Sequence, residues 1–441
     1  MRLFKYEPKY LLVSGILTVL ILIAFLHSAK YPFTNYDDNR LITENKLIRE
    51  FNTENAKIWL SESYDNLYQP LTLASWALDY NTGQYNPLIY RLHSFFLHWI
   101  NSFLVFLVLF KLFQNFNIAL FAGIIFAIHP IQVESVVWMS ERKNLLFGFY
   151  FLLALYQYIL YCKKSKTLHL LLSIVFILFS NLAKSQGILF IIIALCIDYM
   201  LNRPLLQKKV WLEKIPFLAI TIFFAYLTVQ NIDLKSPYLD GINISFTTRI
   251  LYGLFAFYKY FAVLFYPPAL SAFYPFTLNS GQIPIYVGIA GIGFAVFFIY
   301  LLYKSYTKPI LLFGLVVFTC LLLPMLNFVK YIPIFYMSNH YAYISTMGFG
   351  VICAFFITNH LSKNFPKYAI ILILTSILIT FTIIRATNWK SSSALWESVL
   401  KKYPADPWVL NMKGLSLAGE GKTYAALEIY KIGRASCRER V

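Results

Sequence analysis

Charge is scarce in this chain. Asp, Glu, Lys and Arg make up 13% of its 441 residues, and only 20 of them are acidic. A soluble domain carries about twice that charged share, which excludes water as the main solvent. Cysteine is scarce too: the five residues show no C-x-x-C spacing, which excludes a zinc ribbon or a dithiol redox site. Cys162, Cys196, Cys320 and Cys353 lie in or beside apolar segments and are expected to be buried apolar side chains. Long alternation of apolar and polar residues is missing, which excludes a porin-like barrel. No small-x-small cleavage site follows the first apolar block at 9–27, so the basic start Met1-Arg2-Leu3-Phe4-Lys5 introduces a retained helix rather than a signal peptide.

What the chain does have is apolar residues, 59% of the total, with a mean hydropathy of +0.61. They come in blocks close to the roughly 20 residues that carry a helix across a bilayer. The expected fold class is therefore all-α: a polytopic membrane helix bundle of about eleven spans, at 9–27, 89–111, 118–137, 144–162, 168–183, 187–201, 214–231, 283–303, 309–326, 341–358 and 367–385. The net charge of +18 reflects short Lys and Arg clusters between these blocks and not one basic face, which argues against nucleic acid. Placing Arg2 and Lys5, Lys111, Lys163 to Lys166, Arg203 to Lys209, Lys304 and Lys308, and Lys363 and Lys367 in the cytoplasm requires an odd number of spans. The block 249–266 is then an interfacial or re-entrant helix, the N-terminus is cytoplasmic and the C-terminus extracytoplasmic. The chain divides into a tail and first span (1–29), a first extracytoplasmic loop (30–88), a multi-span domain (89–386), an extracytoplasmic helical segment (387–432) and an ending (433–441).

Polar residues that could carry chemistry gather on the extracytoplasmic side. The first loop opens Asn35-Tyr36-Asp37-Asp38-Asn39-Arg40, with two carboxylates that repel each other unless a cation, metal or donor sits between them. Asp38 could instead cap a helix starting near Leu41. A second acidic site is expected at the outer end of the third span, from His129-Pro130 through Glu134 to Glu141-Arg142-Lys143. Glu134 and Glu141 would share a face if the helix continued past Pro130. The bland reading there is an interfacial salt bridge from Glu141 to Arg142 or Lys143.

These runs stand in a familiar order: Asn35-Tyr36-Asp37-Asp38, then Gln69-Pro70-Leu71-Thr72 with Leu78-Asp79-Tyr80, Asn86-Pro87, Phe96-Leu97-His98, His129-Pro130 to Lys143, Ala183-Lys184 with Asp198-Tyr199, Pro324-Met325-Leu326-Asn327, and Asn339-His340-Tyr341-Ala342-Tyr343. Together they resemble the transmembrane-and-tetratricopeptide-repeat glycosyltransferases, a protein O-mannosyltransferase-like branch of the polytopic enzymes that use lipid-phosphate sugars. The resemblance implies a polyprenyl-phosphate sugar donor, an acceptor hydroxyl on protein Ser or Thr or on a glycan, and inverting transfer on the extracytoplasmic face, with the bacterial cytoplasmic membrane as the expected location. Mapped by position, Asp37, Asp38 and Glu134 are the catalytic candidates, and Arg142, Lys184 and His340 are the candidates for the donor phosphate. A divalent Mg or Mn stays open as a ligand of Asp37, Asp38 and Glu134, since hard oxygen donors suit it. Arg91 departs from the pattern, standing where a His is expected, and is read as an arginine snorkelling to the interface.

The segment Leu410 to Tyr430 fits one tetratricopeptide unit, with Leu410, Gly414, Leu417, Gly421, Ala426 and Tyr430 at suitable offsets. One copy cannot bury its own face, so the segment reads as truncated. The ending Gly433 to Val441 breaks the pattern and is expected to be non-native. Two other classes fit the spans: a transporter or flippase of polyprenyl-linked saccharide, and a non-catalytic membrane scaffold. The transporter class calls for charges at the midplane and two similar halves of broken helices, which do not stand out.

Overall fold

The computed structural model describes residues 7–231, 245–276, 283–326, 328, 335–360 and 367–438. Described residues form helices and short turns, with isolated bridges in place of strands. Six helices are long and apolar enough to cross a membrane: Pro8–Ser28, Pro87–Phe113, Met139–Lys164, Lys208–Gln230, Ile285–Ser305 and Ala369–Lys390. A seventh arises if the pair Phe116–Ile128 and Pro130–Val137, bent by 47°, is one span. Four shorter apolar helices, Thr167–Ala183, Phe190–Met200, Pro309–Met325 and Ser345–Asn359, coincide with the remaining expected blocks. The chain is a multi-pass helical membrane protein.

In chain order the helices begin with α1 (Glu7–Phe25), α2 (Thr53–Ser61), α3 (Pro70–Gly83), α4 (Pro87–Phe113), α5 (Phe116–Ile128), α6 (Val133–Val137) and α7 (Arg142–Lys164). They continue with α8 (Thr167–Ala183), α9 (Phe190–Met200), α10 (Lys208–Leu212), α11 (Ile215–Gln230), α12 (Phe246–Phe265), α13 (Ile285–Ser305), α14 (Pro309–Leu322), α15 (Ser345–His360) and α16 (Lys367–Thr387). The tail adds α17 (Ser392–Leu400), α18 (Pro407–Gly419) and α19 (Thr423–Arg438). Caps fit the residue types: Asn86 and Asn115 accept the free amides that open α4 and α5, and Asp406 does the same for α18.

Packing separates a lipid face from a protein core. Ile222 and Tyr226 of α11, Ile289 and Val296 of α13, and Leu372 and Ile373 of α16 are exposed large apolar side chains. Such faces need hydrocarbon around them. Inside, α14 and α15 approach so closely that a Cβ on Gly348 would lie 2.5 Å from the Gly314 carbonyl oxygen. Phe257 and Phe261 of α12 interleave with Phe294 and Phe298 of α13 and Phe318 of α14.

The first loop is folded, not strung out. Leu41, Ile42, Ile48, Trp59, Leu73, Trp76 and Tyr90 form its own core, closed by Met139 from the segment before α7. The Asp38 cap expected from sequence is corrected here: residues Asn39–Thr43 form a π-helical turn, and the Asp38 side chain makes no capping bond to it. Arg91 does not snorkel. It is buried and donates to the carbonyls of Tyr31 (3.1 Å), Pro32 (3.0 Å) and Val137, so it ties the start of the loop to the second acidic segment.

Candidate active site

The first two spans deliver Asn35 to Arg40 to one wall of a cavity of about 730 Å³, and Asp37 lines it. The neighbouring carboxylates part company there. Asp38 is 1% exposed and accepts four bonds, from the Thr34 amide (2.8 Å) and hydroxyl (3.1 Å) and from the Ser140 amide (2.9 Å) and hydroxyl (2.5 Å). It is a clamp between the two acidic segments. Burial raises its pKa, and the Ser140 and Thr34 donors pull the other way. Asp37 keeps a quarter of its side chain exposed to the cavity and pairs at 3.0 Å with Arg40, itself 59% exposed. Burial pushes the Asp37 carboxyl up to about 7, against the pull of Lys143 and Arg40 and with a further push from Glu141 and Asp38. A carboxylate poised near neutrality is suited to general base work.

Facing it, the chain breaks at Trp138, whose extended backbone (φ −81°, ψ 115°) ends α6 before a 3-10 turn leads into α7. The continuous helix that would have put Glu134 and Glu141 on one face does not form. Both carboxylates nevertheless meet His340: its Nδ1 lies 3.6 Å from Glu134 and its Nε2 3.8 Å from Glu141. Glu134 is then fully engaged, accepting from Arg385 (2.8 Å), from the Asn339 side chain (2.6 Å) and from the His340 amide (3.2 Å). Glu141 lines the cavity and gathers Lys143 at 2.9 Å, Lys184 at 3.8 Å and the His340 ring at 3.8 Å. Lys184 follows α8 in extended backbone (φ −163°, ψ 128°), donates to Asn144 at 2.5 Å and lies 4.8 Å from the centre of the Tyr341 ring. Burial lowers its pKa to about 7, with Glu141 opposing. Burial also lowers the pKa of His340, again opposed by Glu141. The lining also includes Ala225, Thr228 and Val229 of α11 with Asn231 at its end, and Pro324 and Met325 after α14.

No protein-family model matches the chain. It is 27% identical over 379 residues to the protein O-mannosyl-transferase F38B6.6 of Caenorhabditis elegans, covering 82% of this chain and 53% of that one. It is 24% identical over 498 residues to the protein O-mannosyl-transferase TMTC4 of Mus musculus, covering 95% of this chain and 65% of the relative. This chain is a relative of the protein O-mannosyl-transferases. It spans between about half and two thirds of the length of these curated relatives. Two solved structures align with most of the chain at low similarity. The Archaeoglobus fulgidus oligosaccharyltransferase tethered to an acceptor peptide has a TM-score of 0.48 and 13% identity, over 90% of this chain and 57% of that one. ArnT from Cupriavidus metallidurans bound to undecaprenyl phosphate has a TM-score of 0.45 and 12% identity, over 97% and 77%.

Within this relative of the O-mannosyl-transferases, Asp37, Lys184 and His340 are brought to one cavity, whereas Asp38, Glu134 and Arg142 are not among its lining residues. Arg142 is 1% exposed and spends its guanidinium on the first loop and α4: Ser94 (3.1 Å), Ser75 (2.9 Å), Asp79 (2.8 Å) and the Tyr90 carbonyl (2.5 Å). Its neighbour Lys143 lines the cavity instead. The two point apart because adjacent residues at a helix start diverge by about 100°. Sequence marked Lys143 only as a salt-bridge partner of Glu141. As a metal site the set Asp37, Asp38 and Glu134 does not fit, since the oxygens of Asp38 and Glu134 are taken by protein donors. Among the described residues no group of three or more His, Cys, Asp or Glu could hold a metal ion.

Proposed function

We propose that this protein is a membrane glycosyltransferase that moves a sugar from a polyprenyl-phosphate donor to an acceptor hydroxyl on the extracytoplasmic face, with inversion. The observation that carries the reading is one cavity lined by a carboxylate with a pKa of about 7, by Lys143, Lys184 and His340, and by an apolar set that includes Ala225, Val229, Pro324 and Met325. A phosphate needs the cations, a lipid chain needs the apolar set, and an attacking hydroxyl needs the base.

In the step itself, Asp37 takes the proton of the acceptor hydroxyl as its oxygen attacks the sugar C1 from the face opposite the phosphate. The C1–phosphate oxygen bond breaks, and its electron pair leaves on the polyprenyl phosphate. Lys143 and Lys184 offset the charge that builds there, the His340 ring stands beside them as a polar group, and Glu141 holds all three at the cavity wall. Arg142 and Asp38 shape the wall from behind. Similarity to protein O-mannosyl-transferases makes mannose the first sugar to test and protein Ser or Thr the first acceptor.

Eleven spans with a cytoplasmic N-terminus suit this chemistry. The reading of α12 as a helix that does not cross is supported by both its ends: the Tyr252 ring lies 5.7 Å from Tyr336, and the Leu264 carbonyl accepts from His129 at 2.9 Å, both partners flanking the site. The tail is proposed as a partial tetratricopeptide segment. In its favour, α18 and α19 pack as a hairpin in which a Cβ on Gly414 would overlap the Tyr430 ring, and Gly421 takes the left-handed φ of 75° that ends α18.

The test is turnover of polyprenyl-phosphate mannose with a Ser- and Thr-containing peptide by the purified chain in liposomes. Mannosyl peptide is expected from the wild type and none above background from Asp37→Asn. Equal product from both would overturn the assignment of the base.

A further inference from the structure

One residue beside the candidate base is held almost entirely by the opposite end of the chain. The Asn35 amide donates to Ser392 Oγ at 2.9 Å. Its Nδ2 donates to the Met412 carbonyl (3.3 Å) and to Ser416 Oγ (3.0 Å), and its Oδ1 accepts from Trp396 Nε1 at 2.8 Å. Every polar atom of the side chain is therefore matched by α17 or α18. The next residue follows suit: the Tyr36 ring stacks on Trp138 at 4.4 Å and 7° and meets Trp396 edge-on at 4.9 Å. Trp408 and Met412 of α18 also line the cavity.

We infer that Asn35 is a positioning residue through which the C-terminal extramembrane helices set the loop that carries Asp37. Covalently the two ends are joined only through the whole membrane body, so the hydrogen bonds at Asn35 are a direct tie between tail and loop. Four bonds to a part-buried amide side chain and its backbone define one orientation, because each donor or acceptor left over would be unpaired in a confined space. Asp37 lies two residues on, beyond a ring that is itself pinned between Trp138 and Trp396. A turn of the loop by one residue would carry its carboxylate out of the cavity. The tail is thus a working wall of the site rather than an appendage, and anything that displaces α17 and α18 loosens the base. This inference rests on the proposed role of Asp37 for its catalytic consequence, but the tie itself is independent of it.

The experiment uses the full chain in detergent or liposomes and compares wild type, Ser392→Ala with Ser416→Ala, Asn35→Ala and Asp37→Asn. Hydrogen exchange of peptides covering 33–38 is the first readout. The double serine variant and Asn35→Ala are expected to speed exchange there by about tenfold or more, while α17 and α18 keep their protection. The second readout is turnover of polyprenyl-phosphate mannose: kcat falls about tenfold with donor KM unchanged, because the cations at the other wall are untouched. Unchanged exchange at 33–38 in both tie variants would overturn the inference whatever the activity. Faster exchange with wild-type kcat would show that the tie does not position the base. Wild-type turnover by Asp37→Asn would instead defeat the functional reading and leave the exchange result to decide the tie. Loss of protection throughout α17 and α18 in the serine variant would also count against it, since the bonds would then be holding the tail's own fold.

Discussion

The sharpest consequence of the cavity is a pH profile that one exposed arginine controls. If Asp37 is the base, kcat at saturating donor should fall on the acid side with a midpoint near 7, the value to which burial lifts its carboxyl. At pH 6 about one molecule in eleven then carries the ionised base and at pH 8 about ten in eleven, a tenfold difference. Arg40, at 3.0 Å, is one of two cations that hold this pKa down. At that distance a water-like dielectric gives an attraction of about 1.4 kcal/mol, or about one pKa unit. Arg40 is 59% exposed and also pairs with Asp65, so solvent screening trims the effect to about half a unit. Removing the cation by Arg40→Gln should therefore move the acid limb upward, towards about 7.5, with the plateau rate nearly unchanged. Added salt should move the wild-type limb the same way and leave the variant where it is. The assay is the initial rate of mannosyl transfer between pH 5.5 and 9 with the donor held well above KM at every pH, so that loss of the Lys184 proton does not enter. An acid limb that does not move in Arg40→Gln, or that persists in Asp37→Asn, would refute the assignment.

Asp38→Asn should lower stability and not turnover per folded molecule: an amide keeps one acceptor oxygen, so a pair of buried donors on Thr34 or Ser140 loses its partner, costing about 2–4 kcal/mol. Thermal unfolding in detergent reads it. Lys184→Gln should raise the donor KM by about tenfold with Lys184→Arg partly retained, and in the wild type the donor KM should climb above pH 7 as the ammonium, lowered to about 7 by burial, gives up its proton. Arg142→Ala should cost about 3–5 kcal/mol, because it leaves Asp79 buried without its arginine, and the folded remainder should bind donor with wild-type KM. Thr307→Cys, exposed beyond the end of α13, should label from the cytoplasm if α12 does not cross, and labelling from outside would reverse the topology of the last four spans.

Much of the architecture was legible because a bilayer demands long apolar helices, and a block such as 89–111 has no other stable form. The Asp37 position, Lys184 and His340 were legible as polar groups at span ends, where exposure to lipid is costly. What escaped was side-chain direction. Arg142 and Lys143 are one residue apart and chemically alike, and only the break at Trp138 and the phase of α7 decide which of them meets the cavity. Glu134 and Glu141 were linked by a helix that does not form, yet His340 joins them from a segment about 200 residues away. Asn35 stood in the loop-one motif with no role of its own and Trp408 carried no local signal, because their meaning lies in contact between the two ends of the chain.

Four acidic residues crowd this end of the protein, and their partners explain why one of them is left for chemistry. Helices in a bilayer gain little hydrophobic free energy from each other, so buried polar ties carry much of the specificity of assembly. Asp38 is such a tie between loop one and Ser140, and Glu134 joins α6 to Arg385 and to Asn339 and His340. Glu141 gathers Lys143, Lys184 and His340. Each of these three oxygen pairs is occupied by protein donors, and at Glu141 burial is outweighed by the neighbouring His340, Lys143 and Lys184, which hold the carboxyl down to about 2. Asp37 differs in kind. Its side chain opens to the cavity, and its ion-pair partner is an exposed arginine that reaches in from the same turn. A proton can arrive there without breaking a buried tie, and a base needs that freedom in every turnover. Burial is what lifts Asp37 towards neutrality, and the tied carboxylates of Glu141 and Asp38 add a smaller push, so the ties that build the site also help to tune it.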